Sequence, residues 1–147
     1  MYRVAKKMTG DENGAADIVQ EVFIQLFHSL SNGIDISFPK SWLYRITYIK
    51  CMDHFRKMKR LHEIELTENI EFRDEQNEKQ ELRFVISQAM SKLNPQERAL
   101  AVLYSEGLTY NEMALATGIK FSSIGKTLSR TLKKLGKELK NQRYEMY

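Results

Sequence analysis

A chain of 147 residues with 42% hydrophobic and 29% charged residues has the composition of one compact soluble domain or two very small ones. No stretch nears the ~18 apolar residues of a membrane span, and the start lacks the basic, apolar and small-residue order of a signal peptide. A single cysteine, Cys51, rules out an internal disulfide framework, and these exclusions lead to the cytoplasm. The net charge of +4 is unevenly spread: residues 1–60 carry +4, residues 61–81 carry −6 and residues 82–147 carry +6. Two basic blocks around an acidic one imply two modules that meet a polyanion, joined by a segment that does not.

The stretch "VAKKMTGDENGAADIVQEVFIQLFHSL" reads as the end of one helix and the whole of another. Gly10 and Gly14 bracket the turn, and Asp17 falls in the first turn of the second helix, where a negative charge suits the dipole. Ile18, Val19, Val22, Phe23, Leu26, Phe27 and Leu30 make one stripe at helical spacing. "SNGIDISFPK" is a loop, and Pro39 fits the first position of the next helix. That helix runs through "SWLYRITYIKCMDHFRKMKR". It is apolar or aromatic nearly all round, with Trp42 and Ile46 read as core, and its last turns are basic.

Residues 62–81 are polar and acidic and hold no persistent apolar face, which predicts a linker, with a helical end as an option. Leu82, Val85, Ile86, Ala89, Met90 and Leu93 then form a further helical stripe. In "LNPQERALAVLYSEG", Asn94 is the N-cap, Pro95 the first helical residue, and Gly107 lies past the end. No strand-like alternation persists. The predicted fold is all-α: a helical bundle over 1–61, the linker over 62–81, and a helix-turn-helix module over 82–147.

Within that last module, Thr109 and Glu112 spell a capping box, Gly118 supplies a left-handed turn, and Ser122 is placed to cap the next helix. A short glycine turn between two helices marks a helix-turn-helix. Ile124, Leu128, Leu132, Leu135 and Leu139 fall on one side of the second helix, and Lys126, Arg130, Lys133 and Lys137 on the other. Such a row is either a solvated face or a surface laid along a groove. The preceding cap and turn favour DNA, with Ser122, Ser123, Lys126 and Thr127 at the end that usually meets base edges. Gly125, inside the helix, costs about 1 kcal/mol against alanine; it either lets the backbone approach DNA or a partner helix closely or is simply tolerated.

On the helix at 17–30, Asp17, Glu21 and His28 lie opposite the apolar stripe, with Gln20 beside them and Ile24 in their midst. An apolar side chain ringed by acids suits a protein-binding spot, although a lone exposed isoleucine is also unremarkable. In the helix at 39–60, aromatics interleaved with basic residues suit single-stranded nucleic acid, where bases stack and phosphates need neutralising.

Together, "DIVQEVFIQLF", "FPKSWLYRITYIKCMDHFRKMKR" and "LNPQERALAVLYSEGLTYNEMALATGIKFSSIGKTLSRTLKKL" resemble regions 2 and 4 of bacterial sigma-70-type factors, and the compact form resembles their extracytoplasmic-function (ECF) group. The resemblance implies a non-enzymatic promoter-specificity subunit of RNA polymerase. It implies contacts from Asp17, Gln20, Glu21 and Ile24 to the β′ clamp helices. It gives Lys40, Arg45, Tyr48, Arg56, Lys57 and Lys59 to the −10 element. Ser122, Ser123, Lys126, Thr127, Arg130, Lys133 and Lys137 would meet the −35 element, with region 4 also docking on the β-flap. An anti-sigma factor is a further implied partner.

Three departures bear on these expectations. The family pattern places about one more helix before "YRVAKKMTGD", which implies a weakened first core. Thr47, Tyr48 and Ile49 replace the common Ala-Arg-Asn, and two family basic positions are Gly125 and Leu132, so base preference does not transfer. The alternative reading is a stand-alone helix-turn-helix regulator, or an adaptor whose basic helix meets an acidic protein. Nothing supports an enzyme or a cofactor: His28, His54 and His62 lack metal-ligand spacing, Cys51 lacks a nucleophile's surroundings, and there is no phosphate-binding glycine loop.

Overall fold

The computed structural model describes residues 1–64 and 78–145, and the side chains of residues 1–61 and 79–142. Among the described residues there are seven helices and no strand: α1 (Tyr2–Thr9), α2 (Glu12–Ser31), α3 (Pro39–Ile64), α4 (Glu78–Ser91), α5 (Pro95–Ser105), α6 (Tyr110–Thr117) and α7 (Phe121–Glu145). The all-α expectation holds. Helices α3 and α4 reach into the acidic segment expected at 62–81 from either end, and most of it lies outside the described residues.

Local chemistry sets most helix ends. Asn94 with Glu97, and Thr109 with Glu112, form complete capping boxes, each satisfying two backbone donors that the first turn leaves over. Gly10 and Gly118 end α1 and α6 in the left-handed conformation, at φ 70° and 76°. Three readings of the ends are corrected. Asp11 is the N-cap of α2, accepting from the Asn13 amide, and Glu12 rather than Asp17 is the acid of its first turn. Gly14 therefore sits inside α2, buried. A Cβ there would stand 2.6 Å from Cε1 of His54, so the glycine sets how closely α2 and α3 approach. Ser122 is the second residue of α7, not its cap.

Helices α1, α2 and α3 pack on one another, as do α4, α5, α6 and α7 where they meet. The two modules are not separate bodies. Helix α3 lies against α6 and α5, and α1 lies against α5. One buried cluster runs from Val4, Met8, Val22 and Cys51 through to Leu100, Leu103, Met113 and Ile124. Modules this small bury too little alone, and α3, apolar on nearly every side, offers one face to each.

Burial covers less of the predicted stripes than spacing implies. On α2, Ile18 and Val22 are buried, but Phe23, Phe27 and Leu30 are exposed. Helix α1 has 8 residues against 20 in α2, so about 12 Å of helix faces about 30 Å. On α4, Leu82 and Ile86 face solvent while Ala89 is buried, and Leu93, expected in the same stripe, is buried just past the helix end. On α7 the buried line is Ile124, Leu128 and Thr131, and Leu132 is turned outward. Thr131 tolerates burial because its hydroxyl donates to the Thr127 carbonyl at 2.8 Å.

The seam between the modules carries a reciprocal arrangement. Arg98 of α5 donates from Nε to the carbonyl of Lys7, in the last turn of α1, at 2.9 Å. Arg45 of α3 donates from Nη1 to the carbonyl of Ala116, in the last turn of α6, at 3.5 Å. The two guanidinium groups lie 2.9 Å and 2.8 Å from where Cβ atoms on Gly10 and Gly118 would stand. Each module thus lends an arginine to a helix end of the other. Those carbonyls lack intrahelical donors and carry the negative end of the helix dipole.

Candidate nucleic-acid and partner interface

Asp17, Gln20, Glu21 and Ile24 all stand exposed on α2, brought to one face by spacings of three and four. Ile24 is half exposed and lines a shallow groove with Glu21, His28, Ile34 and Lys50. Lys50 of α3 reaches Glu21 at 3.7 Å. Next to the groove, Asp17 borders a cleft with His54, Lys57 and Arg60. The arrangement offers an apolar centre with acids around it, as the sequence implies.

The set expected at the −10 element is divided. Lys57 and Lys59 are exposed near the end of α3, and Arg56 is exposed but bound to Asp53 at 2.7 Å. Of the other members, two reach the second module and one is buried. Lys40 pairs with Glu112 of α6 at 3.2 Å, Arg45 rests on the end of α6, and Tyr48 is buried, with 8% of its surface exposed. Arg45, Tyr48 and Met52 follow at spacings of three and four, so they share the face of α3 that packs inward.

The set expected at the −35 element is largely open. Ser122, Lys126, Arg130, Lys133 and Lys137 are exposed along α7. Ser123 and Thr127 are half-buried, and the Thr127 hydroxyl donates to the Ser123 carbonyl at 2.8 Å, leaving its oxygen able to accept. Eleven residues separate Lys126 from Lys137, about 16 Å of helix. A Cβ on Gly125 would stand 3.5 Å from the Tyr110 ring, an ordinary contact, so glycine is not sterically required there.

Sequence reasoning missed the charged groups of the seam. The Glu106 carboxylate receives Arg3 at 2.6 Å and Lys7 at 3.4 Å. The Arg3 hydrogen bond is the main cause that holds the Glu106 carboxyl below its ordinary value. A pair separated by 103 positions leaves no periodic signal. For cofactor chemistry, the described residues bring no three His, Cys, Asp or Glu side chains together as a metal site. Burial pushes the Cys51 thiol up to about 12, so it is a poor nucleophile at neutral pH.

Two family models match the chain: Sigma-70 region 2 over residues 1–61 and Sigma-70, region 4 over residues 83–135. The chain belongs to the sigma-70 family. Its relatives place it in the ECF group of that family. It is similar to the RNA polymerase sigma factor SigZ of Bacillus subtilis, with 31% identity over 85% of this chain and 72% of that protein. It is also similar to the ECF sigma factor SigM of Bacillus subtilis, with 28% identity over 92% and 85% of the two chains. With the ECF sigma factor SigE of Mycolicibacterium smegmatis it shares 30% identity, and it spans about half of that protein, 53%. The sigma factor RpoE of Bartonella quintana, solved in complex with the anti-sigma factor NepR, has the same fold, with a TM-score of 0.75 over 95% of this chain and 89% of that one at 21% identity. The seam residues of this sigma-70-family chain thus join the segments matched to regions 2 and 4.

Proposed function

We propose that the chain is a promoter-specificity subunit of bacterial RNA polymerase, acting in the cytoplasm and catalysing no reaction of its own. The observation that carries this is the exposed row Lys126, Arg130, Lys133 and Lys137 on the second helix of a capped, glycine-turned helix pair, in a chain matched by both family regions. A row of this kind neutralises phosphates and fixes register, while Ser122, Ser123 and Thr127 at the helix start meet base edges of the −35 element. In residues 1–61, Asp17, Gln20, Glu21 and Ile24 bind the β′ clamp helices. Lys40, Arg45, Tyr48, Arg56, Lys57 and Lys59 serve the −10 element, by stacking and phosphate contact. The module over 82–147 docks on the β-flap. An anti-sigma factor is a further partner, a reading supported by the complex in which the RpoE chain was solved.

The experiment is transcription in vitro with purified core polymerase and genomic DNA, followed by mapping of the transcript starts. The expected result is a set of starts that depends on this chain, preceded by shared elements near −10 and −35. Duplex binding without any gain in polymerase-dependent starts would instead make the chain a stand-alone regulator.

A further inference from the structure

The start of α7 presents a large apolar side chain to solvent. Phe121, the first residue of the helix, is 61% exposed, whereas Ile124 within the same turn is fully buried. Lys120 and Ser122, on either side of Phe121, are exposed as well. We infer that Phe121 is the residue by which α7 recognises thymine, its ring closing on the 5-methyl group in the major groove of the −35 duplex. The inference rests on the reading of α7 as the helix that enters that groove.

Position, surroundings and selectivity support this role. Every Cβ of a helix leans toward the N-terminus, so a side chain on the first residue projects beyond the first turn. That is the end of such a helix that meets base edges. Lys126, the first cation of the row, follows five residues later, about 7.5 Å along the axis. The row can therefore lie against phosphates while the ring stands ahead of it, among the bases. Gly125 lies one turn after Phe121 on the same side and presents no side chain. The edge of the exposed Tyr110 ring stands 3.5 Å from where a Cβ on Gly125 would be. An uncharged strip thus runs beside the charged row, and a methyl group is best received by such a strip. A lone exposed apolar residue is ordinary on a protein surface, but this one is continuous with a surface already assigned to DNA. Its neighbours also leave the choice of base to it. The hydroxyls of Ser122, Ser123 and Thr127 pair with any base, and Lys126 favours guanine. The 5-methyl group belongs to thymine alone among the four bases, and phenylalanine is one of the side chains that contact it. Closing the ring on that methyl also removes apolar surface of both partners from water.

The test uses the full chain and a pool of short duplexes with a randomised centre, from which the chain selects its preferred duplex. Each thymine of that duplex is then replaced in turn by deoxyuridine, which removes only the methyl group, and affinity is read by anisotropy. The expected result is a thymine at which the replacement weakens binding by the parent chain about fourfold, the contribution of one buried methyl-sized group. Phe121→Ala should bind the thymine and deoxyuridine duplexes alike, near the affinity of the parent chain for deoxyuridine. Phe121→Leu, apolar but smaller, should keep part of the preference. In Phe121→Ala the slope of log affinity against log salt should not change, because no phosphate contact is removed, and the melting curve should match that of the parent, because the ring is exposed. A selected duplex without thymine overturns the inference. So does a parent chain indifferent to every deoxyuridine, or a Phe121→Ala variant that keeps the preference of the parent. The same replacements in the −35 element of a mapped promoter, read by transcription with core polymerase, keep the two readings apart. A chain that prefers thymine in a duplex but starts no transcript upholds the role of Phe121 and overturns the promoter reading. A chain that starts transcripts but ignores the methyl group overturns the role of Phe121 alone; a chain that neither selects a duplex nor starts a transcript overturns both.

Discussion

Arg3 grips the Glu106 carboxylate with two nitrogens, Nη2 at 2.6 Å from Oε2 and Nε at 3.2 Å from Oε1. Lys7 adds a third contact at 3.4 Å. The pair ties α1 to the end of α5, and both cations stabilise the charged form of Glu106, whose carboxyl lies below its ordinary value of 4.5. The folded pKa is depressed, so this stabilisation is complete above the unfolded value and is lost as pH falls through the lower folded one. The melting temperature should therefore fall as pH drops below about 4.5, more steeply in the parent chain than in Glu106→Gln. At neutral pH the variant should melt lower. A thermal-shift series across pH checks this, and parallel curves for the two proteins would refute it.

Gly14 should resist replacement. Its Cβ would meet the His54 ring at 2.6 Å and Oδ2 of Asp11 at 2.8 Å. Overpacking of this kind costs roughly 1–3 kcal/mol, and Gly14→Ala should lose about that in urea denaturation. Adding His54→Ala makes room and should recover part of the loss. Equal stability of the parent and Gly14→Ala would mean that the ring moves aside freely.

Gly125 and Gly136 should behave in the opposite way. Both lie inside α7. A Cβ at Gly125 makes only ordinary contact with Tyr110, and one at Gly136 meets nothing within 4 Å. Gly→Ala at each should raise stability by about 0.5–1 kcal/mol through helix propensity. Denaturation midpoints read the gain, and a drop at Gly136 would contradict the open space around it.

On α7, Lys126→Ala and Arg130→Ala should each weaken duplex binding and lower the slope of log affinity against log salt by about one. The measurement is anisotropy over a salt series. An unchanged slope would take these two residues off the phosphates.

Ile24→Asp should leave folding intact, because the side chain is half exposed, yet cost core-polymerase affinity. An apolar centre replaced by a charge at a protein interface commonly loses about 2 kcal/mol or more. Affinity of labelled chain for core polymerase, beside a melting curve, tests both halves. Unaltered affinity would move the polymerase contact to another face.

Local features were legible in the sequence because their causes are local. Asn94, Thr109, Gly10 and Gly118 act within one turn of themselves, and the structure finds them where their spacing puts them. The exposed row on α7 was legible for the same reason, since it needs only the helical period. Burial along α2 was not: which of Val22, Phe23 and Phe27 is covered depends on where α1 begins to face it. Gly14 misled because a glycine in a tight helix contact looks like a glycine in a turn until its neighbour, His54, is known. The seam was invisible, because Arg3 with Glu106 and Arg45 with Ala116 join distant parts of the chain through charge and geometry alone.

The exchanged arginines also concern how the protein is made. Helix α1 gains a donor for its end from Arg98 only after α5 has formed, and α6 gains one from Arg45 only after α3 has formed. Neither half is complete by its own chemistry, so the two should melt as one transition, and either half expressed alone should be less stable than its share of the whole. A chain cut between its halves should therefore stay associated through the seam, held by Arg98 on the Lys7 carbonyl and Arg3 on Glu106.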